Sequence, residues 1–193
     1  MPSQSRMAVL GSNAPAFALP DPTGRIHTLH EFDASTLLLV AFICNHCPYV
    51  LHILDSLVRY AADYASGRVA TVAISVNDVA AYPEDGPQQM SKLARDRHFG
   101  FPYLYDESQR SAIAFGAMCT PDFFLYDRQR RLAYRGRFDG SRPSKPGTAK
   151  PVPVTGADLR AATDALLAGL PVPSEQLPSI GCSLKWKPGN DPG

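Results

Sequence analysis

The sequence predicts an α/β fold, a mixed central sheet flanked by helices on both faces, and three observations carry that expectation. Two apolar runs of strand length, Leu37–Ile43 and Val69–Val76, are each followed by a segment of helical spacing. Two later runs, Asp122–Tyr126 and Leu132–Phe138, are joined by the charged turn Asp127-Arg-Gln-Arg130 and read as a hairpin. Alternating elements that end in a hairpin imply parallel strands extended by antiparallel ones. With 193 residues, no internal repeat and no second core, the chain reads as one domain over 1–193, its core about 9–170 and a Pro-rich tail over 171–193.

Each element follows from local chemistry. Residues 11–34 carry the turn Asp21-Pro-Thr-Gly24 between short apolar pieces, which suits an N-terminal hairpin extension. Leu37–Ile43 is apolar throughout, as a strand buried on both faces must be. After Pro48, the residues Val50, Leu51, Leu54, Leu57, Val58, Ala61 and Ala65 keep helical spacing, and Gly67 stops the helix. Val69–Val76 is the second buried strand, closed by Asn77-Asp78. Pro87 opens a more polar helix to about His98, Phe101–Tyr105 is a short extended piece, and Ser108–Ala117 a short helix. Beyond the hairpin, a Pro/Gly/Lys-rich loop covers 139–154, and Thr155 caps a helix with Leu159, Ala162, Leu166 and Leu167 on its apolar face. The tail from Gly169 holds five prolines and ends in Gly181-Cys-Ser-Leu-Lys-Trp-Lys187, with nothing to say where it lies.

Totals exclude several functions. A formal net charge of +1 gives no pull toward nucleic acid or an anionic membrane. The longest apolar run is too short to cross a bilayer, and prolines interrupt the N-terminus before any secretory core can form. The expectation is a soluble, cytoplasmic protein. Four cysteines are too few for a disulfide scaffold, so individual thiols with chemical roles are expected.

Two of them stand in Cys44-Asn45-His46-Cys47-Pro48, where the first buried strand meets its helix. In open α/β sheets function gathers beyond the carboxyl ends of the strands. A helix N-terminus offers unpaired N–H groups and a partial positive charge, which favour a thiolate. Pro48 costs nothing at the first helical position, which sets Cys47 near the N-cap and Cys44 one turn outward. Either sulfur can ionise there, and two intervening residues let a reversible disulfide close. His46 adds a ring able to donate to the sulfurs and stabilise the reduced pair. A single C-x-x-C supplies only half a zinc site, and no second pair completes it. Further on, Cys119-Thr120-Pro121 precedes an apolar strand, where a proline is tolerable at the first residue; its peptide bond is open between trans and cis.

An apolar strand, C-x-x-C, a helix and a later Thr-Pro before a strand together resemble the thioredoxin superfamily, over roughly residues 9–170. Gly11-x-x-Ala14-Pro15-x-Phe17-x-Leu19-x-Asp21, with Gly24 and Leu29, is similar to the opening of peroxiredoxins and related AhpC/TSA redoxins. Cys-Asn-His-Cys-Pro-Tyr, Thr-Pro-Asp-Phe-Phe-Leu and the Gly-Cys-Ser-Leu-Lys-Trp tail resemble a peroxiredoxin-like, thioredoxin-domain subgroup. The resemblance implies a single thioredoxin-like domain, a cis Thr120–Pro121 bond packed on the cysteines, and an oxidoreductase with no cofactor. Its implied partners are protein or low-molecular-weight disulfides and thiols together with a reducing system, with no nucleic acid and no membrane.

The reaction differs with the alignment. Against peroxiredoxins, Cys47-Pro48 takes the peroxidatic position, but their supporting threonine, proline and arginine correspond here to Cys44, Val40 and about Pro121. Loss of groups that polarise the O–O bond argues against efficient peroxide reduction. Against thioredoxins the C-x-x-C and Thr-Pro are kept, while the tryptophan before the first cysteine is Ile43 and the buried strand carboxylate is Leu38. His46 or water then has to replace that carboxylate. Dithiol–disulfide exchange by catalytic Cys44 and Cys47, supported by Asn45, His46, Pro48, Thr120 and Pro121, is the leading expectation. A thiol peroxidase with Cys47 peroxidatic is the first alternative, and a copper-chaperone-like metal protein the second.

Cys119 is either a further redox thiol or a small buried hydrophobe. Cys182, with Lys185 and Lys187 nearby, is either a resolving thiol or a tail anchor beside Trp186. His27, His30, His52 and His98 read as surface or packing residues, and Arg135, Arg137 and Arg142 as a solvated hairpin edge or an anion site.

Overall fold

The computed structural model describes residues 2–66, 68–143 and 152–192, so Gly67 and residues 144–151 of the loop at 139–154 lie outside the described residues. In chain order the strands are β1 (Pro2–Gln4), β2 (Ala18–Pro20), β3 (Ile26–Thr28), β4 (Leu37–Phe42), β5 (Val69–Ser75), β6 (Tyr103–Tyr105), β7 (Cys119–Thr120), β8 (Asp122–Tyr126), β9 (Leu132–Gly136) and β10 (Ile180–Ser183). The α-helices are α1 (Pro48–Tyr64), α2 (Pro87–Asp96), α3 (Arg110–Phe115) and α4 (Ala157–Leu167).

The central sheet runs β6-β5-β4-β8-β9. Its first three strands are parallel, and β8 and β9 are antiparallel additions, so the sheet is mixed as the element order required. β4 lies in the middle and is buried over its whole length. The period of two then divides its side chains between faces. Leu37, Leu39 and Ala41 join Leu54, Leu57, Leu159 and Met90 of α1, α4 and α2. Leu38, Val40 and Phe42 join Ala112 and Phe115 of α3 and Phe17 of the N-terminal segment. Fully burying each such side chain contributes roughly 2 kcal/mol, which is why the central strand tolerates no polar residue. Among the described residues no helix is long and apolar enough to cross a membrane.

Two expectations are corrected. Thr155 is not the cap of α4; the N-cap is Gly156, in left-handed backbone at φ 70°. Thr155 Oγ1 still accepts from the first helical N–H, that of Ala157, at 3.2 Å, while Asp139 Oδ2 fixes the approach to the helix by accepting from the Thr155 and Gly156 N–H groups at 2.8 and 2.7 Å. A Cβ on residue 156 would meet the Phe138 ring at 2.6 Å, so the glycine serves both backbone and packing.

Arg135 is not a solvated edge residue, being 1% exposed. It pairs with Asp122 at 3.4 Å, donates to the Gly116 carbonyl at 2.8 Å and lies over the Phe124 ring. The tail explains why: Gln176 accepts from the Arg135 N–H and donates to the Ala133 carbonyl, so it covers the outer edge of β9. Arg137 pairs with Asp158, and Arg142 donates to the Asp139 and Ser141 carbonyls.

The tail's own destination was not legible. β10 lies between β1 and β7, so the two ends of the chain form a three-stranded sheet over the Thr120–Pro121 segment.

Candidate functional site

The site forms where β4 ends. Cys47 is the N-cap of α1 with extended backbone, and Pro48 follows at the first helical position. Cys44 and Cys47 are 1% and 0% exposed, so Cys44 does not stand outward as the helix-start argument suggested. The chain's own tail and the Thr120–Pro121 segment cover both. The Thr120–Pro121 bond is cis. Thr120 meets both sulfurs: its Oγ1 lies 3.4 Å from Cys44 Sγ, and its carbonyl accepts from the neutral Cys47 thiol at 3.1 Å. All four cysteines are free thiols.

The two thiols of the pair are not equivalent. Cys47 is lowered to about 5, first because the Cys44 S–H donates to its sulfur, against an opposing cost of burial. Cys182 and the Val50 N–H of the first helical turn favour the anion further. On ionisation Cys47 gives up its bond to the Thr120 carbonyl and gains these donors instead. Cys44 moves the other way, pushed far up by donating to Cys47, by burial and by the charge of Asp85. One anion shared by two sulfurs resides on the one at the helix start.

Asp85 is the functional candidate that sequence reasoning missed. It is fully buried in the turn after Tyr82. Its Oδ1 accepts from the Asn45 N–H at 2.7 Å, and its Oδ2 accepts from Asn77 Nδ2 at 2.7 Å. His46 Nδ1 lies 2.7 Å from the same carboxylate, and the ring stacks on Tyr82. The predicted role of His46 beside the sulfurs is thereby redirected: the ring turns to Asp85. Tyr103 donates to Asn45 Oδ1 at 3.0 Å, completing the support of the Asn45-His46 loop. Cys44, His46 and Asp85 bring potential metal-ligating atoms within 4.8 Å of one another. Both Asp85 oxygens already accept hydrogen bonds, which suits a positioning carboxylate better than a ligand. The sequence signal for Asp85 is faint, an acidic turn Pro83-Glu-Asp-Gly86 beyond a buried strand; only burial separates Asp85 from the half-exposed Glu84.

The other two thiols part company. Cys119 is buried, its sulfur 3.6 Å from the Pro121 carbonyl, and burial and the nearby Asp122 push it up. Cys182, half-buried on β10, sits opposite Thr120 and packs against the cluster that holds Cys44 and Cys47. Burial first, and the neighbouring Cys47 second, raise it to about 12. A cleft lined by Tyr49, Pro121, Phe138 and Ile180 opens beside this group.

A strand-to-helix C-x-x-C facing a cis proline on a mixed sheet defines a thioredoxin-like fold. The family model for AhpC/TSA matches residues 10–135, and the chain belongs to that redoxin family. No curated protein matches. A hypothetical protein from Sinorhizobium meliloti 1021 is 51% identical, with TM-score 0.90 over 96% of this chain and 99% of that one. The peroxidoxin BcpB from Mycobacterium tuberculosis is 20% identical, with TM-score 0.60 over 82% of this chain and 96% of that one. A thiol:disulfide interchange protein of the thioredoxin family from Chlorobium tepidum TLS is 15% identical, with TM-score 0.61 over 83% and 99%. The last two likenesses are of fold.

Proposed function

We propose that the protein is a thiol–disulfide oxidoreductase working through a reversible Cys44–Cys47 disulfide, with Cys47 as the attacking thiolate. The observation that carries this is the place of Cys47 at the N-cap of α1, with Cys44 and Thr120 beside it, where the anion is favoured on Cys47 and the proton on Cys44. Cys47 attacks one sulfur of a disulfide and is joined to it, while the disulfide's own S–S bond breaks and its other sulfur leaves as a thiolate. Cys44 then loses its proton and attacks Cys47 Sγ, closing the Cys44–Cys47 bond and expelling the bound thiol. The Asp85–His46 couple, within 4.8 Å of Cys44 Sγ, is the acceptor for that proton. The substrates are protein or low-molecular-weight disulfides, and a reducing system restores the dithiol.

Titration of the reduced protein in glutathione buffers, with acid quenching and mass mapping, tests the reading. The expected outcome is one two-electron couple joining Cys44 to Cys47, and loss of disulfide exchange in Cys47→Ser. Undiminished exchange by Cys47→Ser would sink it.

A second reading, thiol peroxidase, is favoured by the ionised state of Cys47 alone. Against it, the buried guanidinium of Arg135 is committed to Asp122 and the Gly116 carbonyl. Dimedone labelling after a peroxide pulse decides: a sulfenic acid on Cys47 formed at rates rivalling disulfide exchange would move the assignment to peroxide.

A further inference from the structure

The buried pair has an access problem that the tail answers. Cys44 and Cys47 expose 1% and 0% of their surface, so an outside thiol or disulfide cannot reach either sulfur in the packed site. An outside thiolate reducing the Cys44–Cys47 bond has to strike Cys44 if the better leaving group, Cys47, is to depart. Of the four cysteines only Cys182 has open surface. Its strand is antiparallel to β7, with Cys182 opposite the Thr120 that touches both buried sulfurs. The Cys182 side chain packs against the core cluster that holds Cys44 and Cys47.

This approach is built into the chain. Gly181 packs on the Thr120–Pro121 peptide so closely that a Cβ there would lie 1.9 Å from the Thr120 carbonyl oxygen. Any larger residue forces β10 away from β7. On the other edge Gly181 pairs with Ser3 of β1. Further along, the Lys185 and Lys187 N–H groups donate to Asn77 Oδ1 and Gln109 Oε1 at 2.9 and 2.8 Å. Asn77 in turn donates to Asp85, so the strand that carries Cys182 is held by the carboxylate network of the site.

We propose that Cys182 is the port of the buried pair: Cys47 trades its disulfide partner between Cys44 and Cys182, and the Cys47–Cys182 bond is the one that outside thiols and disulfides make and break. This rests on the disulfide reading above and adds a route to it. In the oxidising direction the Cys182 sulfur, having lost its proton, attacks an outside disulfide, and one outside thiol leaves carrying that proton. The Cys47 thiolate attacks Cys182 Sγ, the Cys47–Cys182 bond forms, and the second outside thiolate departs. Cys44 then attacks Cys47; the Cys44–Cys47 bond forms, the Cys47–Cys182 bond breaks, and the Cys44 proton passes by way of the Asp85–His46 couple to the departing Cys182 sulfur. One outside disulfide has been reduced and one protein dithiol oxidised. Run backwards, the outside thiolate attacks Cys182, and Cys47 leaves as the thiolate best stabilised in the cluster.

Two measurements test the port. Cys44→Ser is oxidised with glutathione disulfide, acid-quenched and mapped; the expected product is Cys47–Cys182. Glutathione on Cys47 with Cys182 free overturns the proposal. Second, Cys182→Ser is expected to reach the same Cys44–Cys47 equilibrium as wild type but to exchange with glutathione roughly tenfold or more slowly. Adding Gly181→Ala to it lifts the strand without touching a thiol and is expected to recover the rate. A Cys182→Ser protein that forms Cys44–Cys47 at the wild-type rate overturns the port and leaves the disulfide reading standing. A wild type that forms no protein disulfide at all overturns both.

Discussion

Cys47 and Cys119 flank the same cis Thr120–Pro121 segment, both fully buried, yet their sulfurs are pushed in opposite directions. Burial disfavours the anion at both. At Cys47 that cost is exceeded by thiol donors on two sides and the start of α1. At Cys119 the nearest polar partner is a carbonyl, and Asp122 adds a like charge that the facing Arg135 only partly offsets. The direction of each shift follows the groups that surround the sulfur, not its depth.

The largest effect expected from breaking that contrast is chemical. Cys47→Ser should abolish disulfide exchange, whereas Cys119→Ala should leave the rate at wild type and cost stability alone, about 1 kcal/mol. A rate assay beside a urea titration of each variant separates the two. Loss of exchange in Cys119→Ala would show that the thiols act as one cluster.

Next in size is the charge pair on the Cys119 side. Asp122→Asn takes from the buried Arg135 the carboxylate oxygen that accepts its hydrogen bond, with an expected loss of about 1–3 kcal/mol in urea unfolding. The two regions should also oppose each other with pH. Burial holds the Asp122 carboxyl up at about 7, above its ordinary 3.8, so the native state keeps that proton more tightly than the unfolded chain. Its contribution is full below the ordinary value and is lost as pH rises through 7. Cys47, at about 5 against an ordinary 9, does the reverse in the reduced protein: its contribution is present above 9 and is lost as pH falls through 5. Asp122→Asn should erase the first trend and Cys47→Ser the second.

What the sequence disclosed follows the same division. Strand period, the helix start and the Thr-Pro placed β4, α1 and the corner that holds Cys44 and Cys47, because each is a local rule acting on neighbouring residues. Asp85, Arg135 and Cys182 were misjudged or left open because their environments are made by segments far away in the chain. Arg135 looked like an exposed hairpin cation until Gln176 and Asp122 enclosed it. Cys182 sat in a proline-rich tail whose pairing with both Pro2–Gln4 and Cys119–Thr120 no periodicity announces.

Asp85 gives the next smaller effect. Asp85→Asn removes the carboxylate beside Cys44 and the partner of His46. If that couple accepts the Cys44 proton, closure of the Cys44–Cys47 bond should slow by about a hundredfold while the first attack by Cys47 is preserved. Rapid-quench mapping should then catch bonds from Cys47 to other sulfurs accumulating ahead of Cys44–Cys47. Unchanged closure would limit Asp85 to holding the Asn45-His46 loop.

The smallest effect is a slope. With Cys47 already ionised and Cys44 protonated, reduction of the Cys44–Cys47 disulfide takes up two electrons and one proton between pH 5 and 9. A two-electron couple shifts by about 30 mV for each tenfold change in a reactant, so the potential should fall about 30 mV per pH unit in that window. Below pH 5, where Cys47 also holds its proton, two protons enter and the slope should double. Cys119 takes part in no step and should leave both slopes alone when replaced by Ala. A slope of about 60 mV per unit through neutrality would mean that both thiols stay protonated. The contrast between the two sides of Thr120–Pro121 would then reduce to accessibility, with Cys47 differing from Cys119 only in having Cys44 and Cys182 within reach.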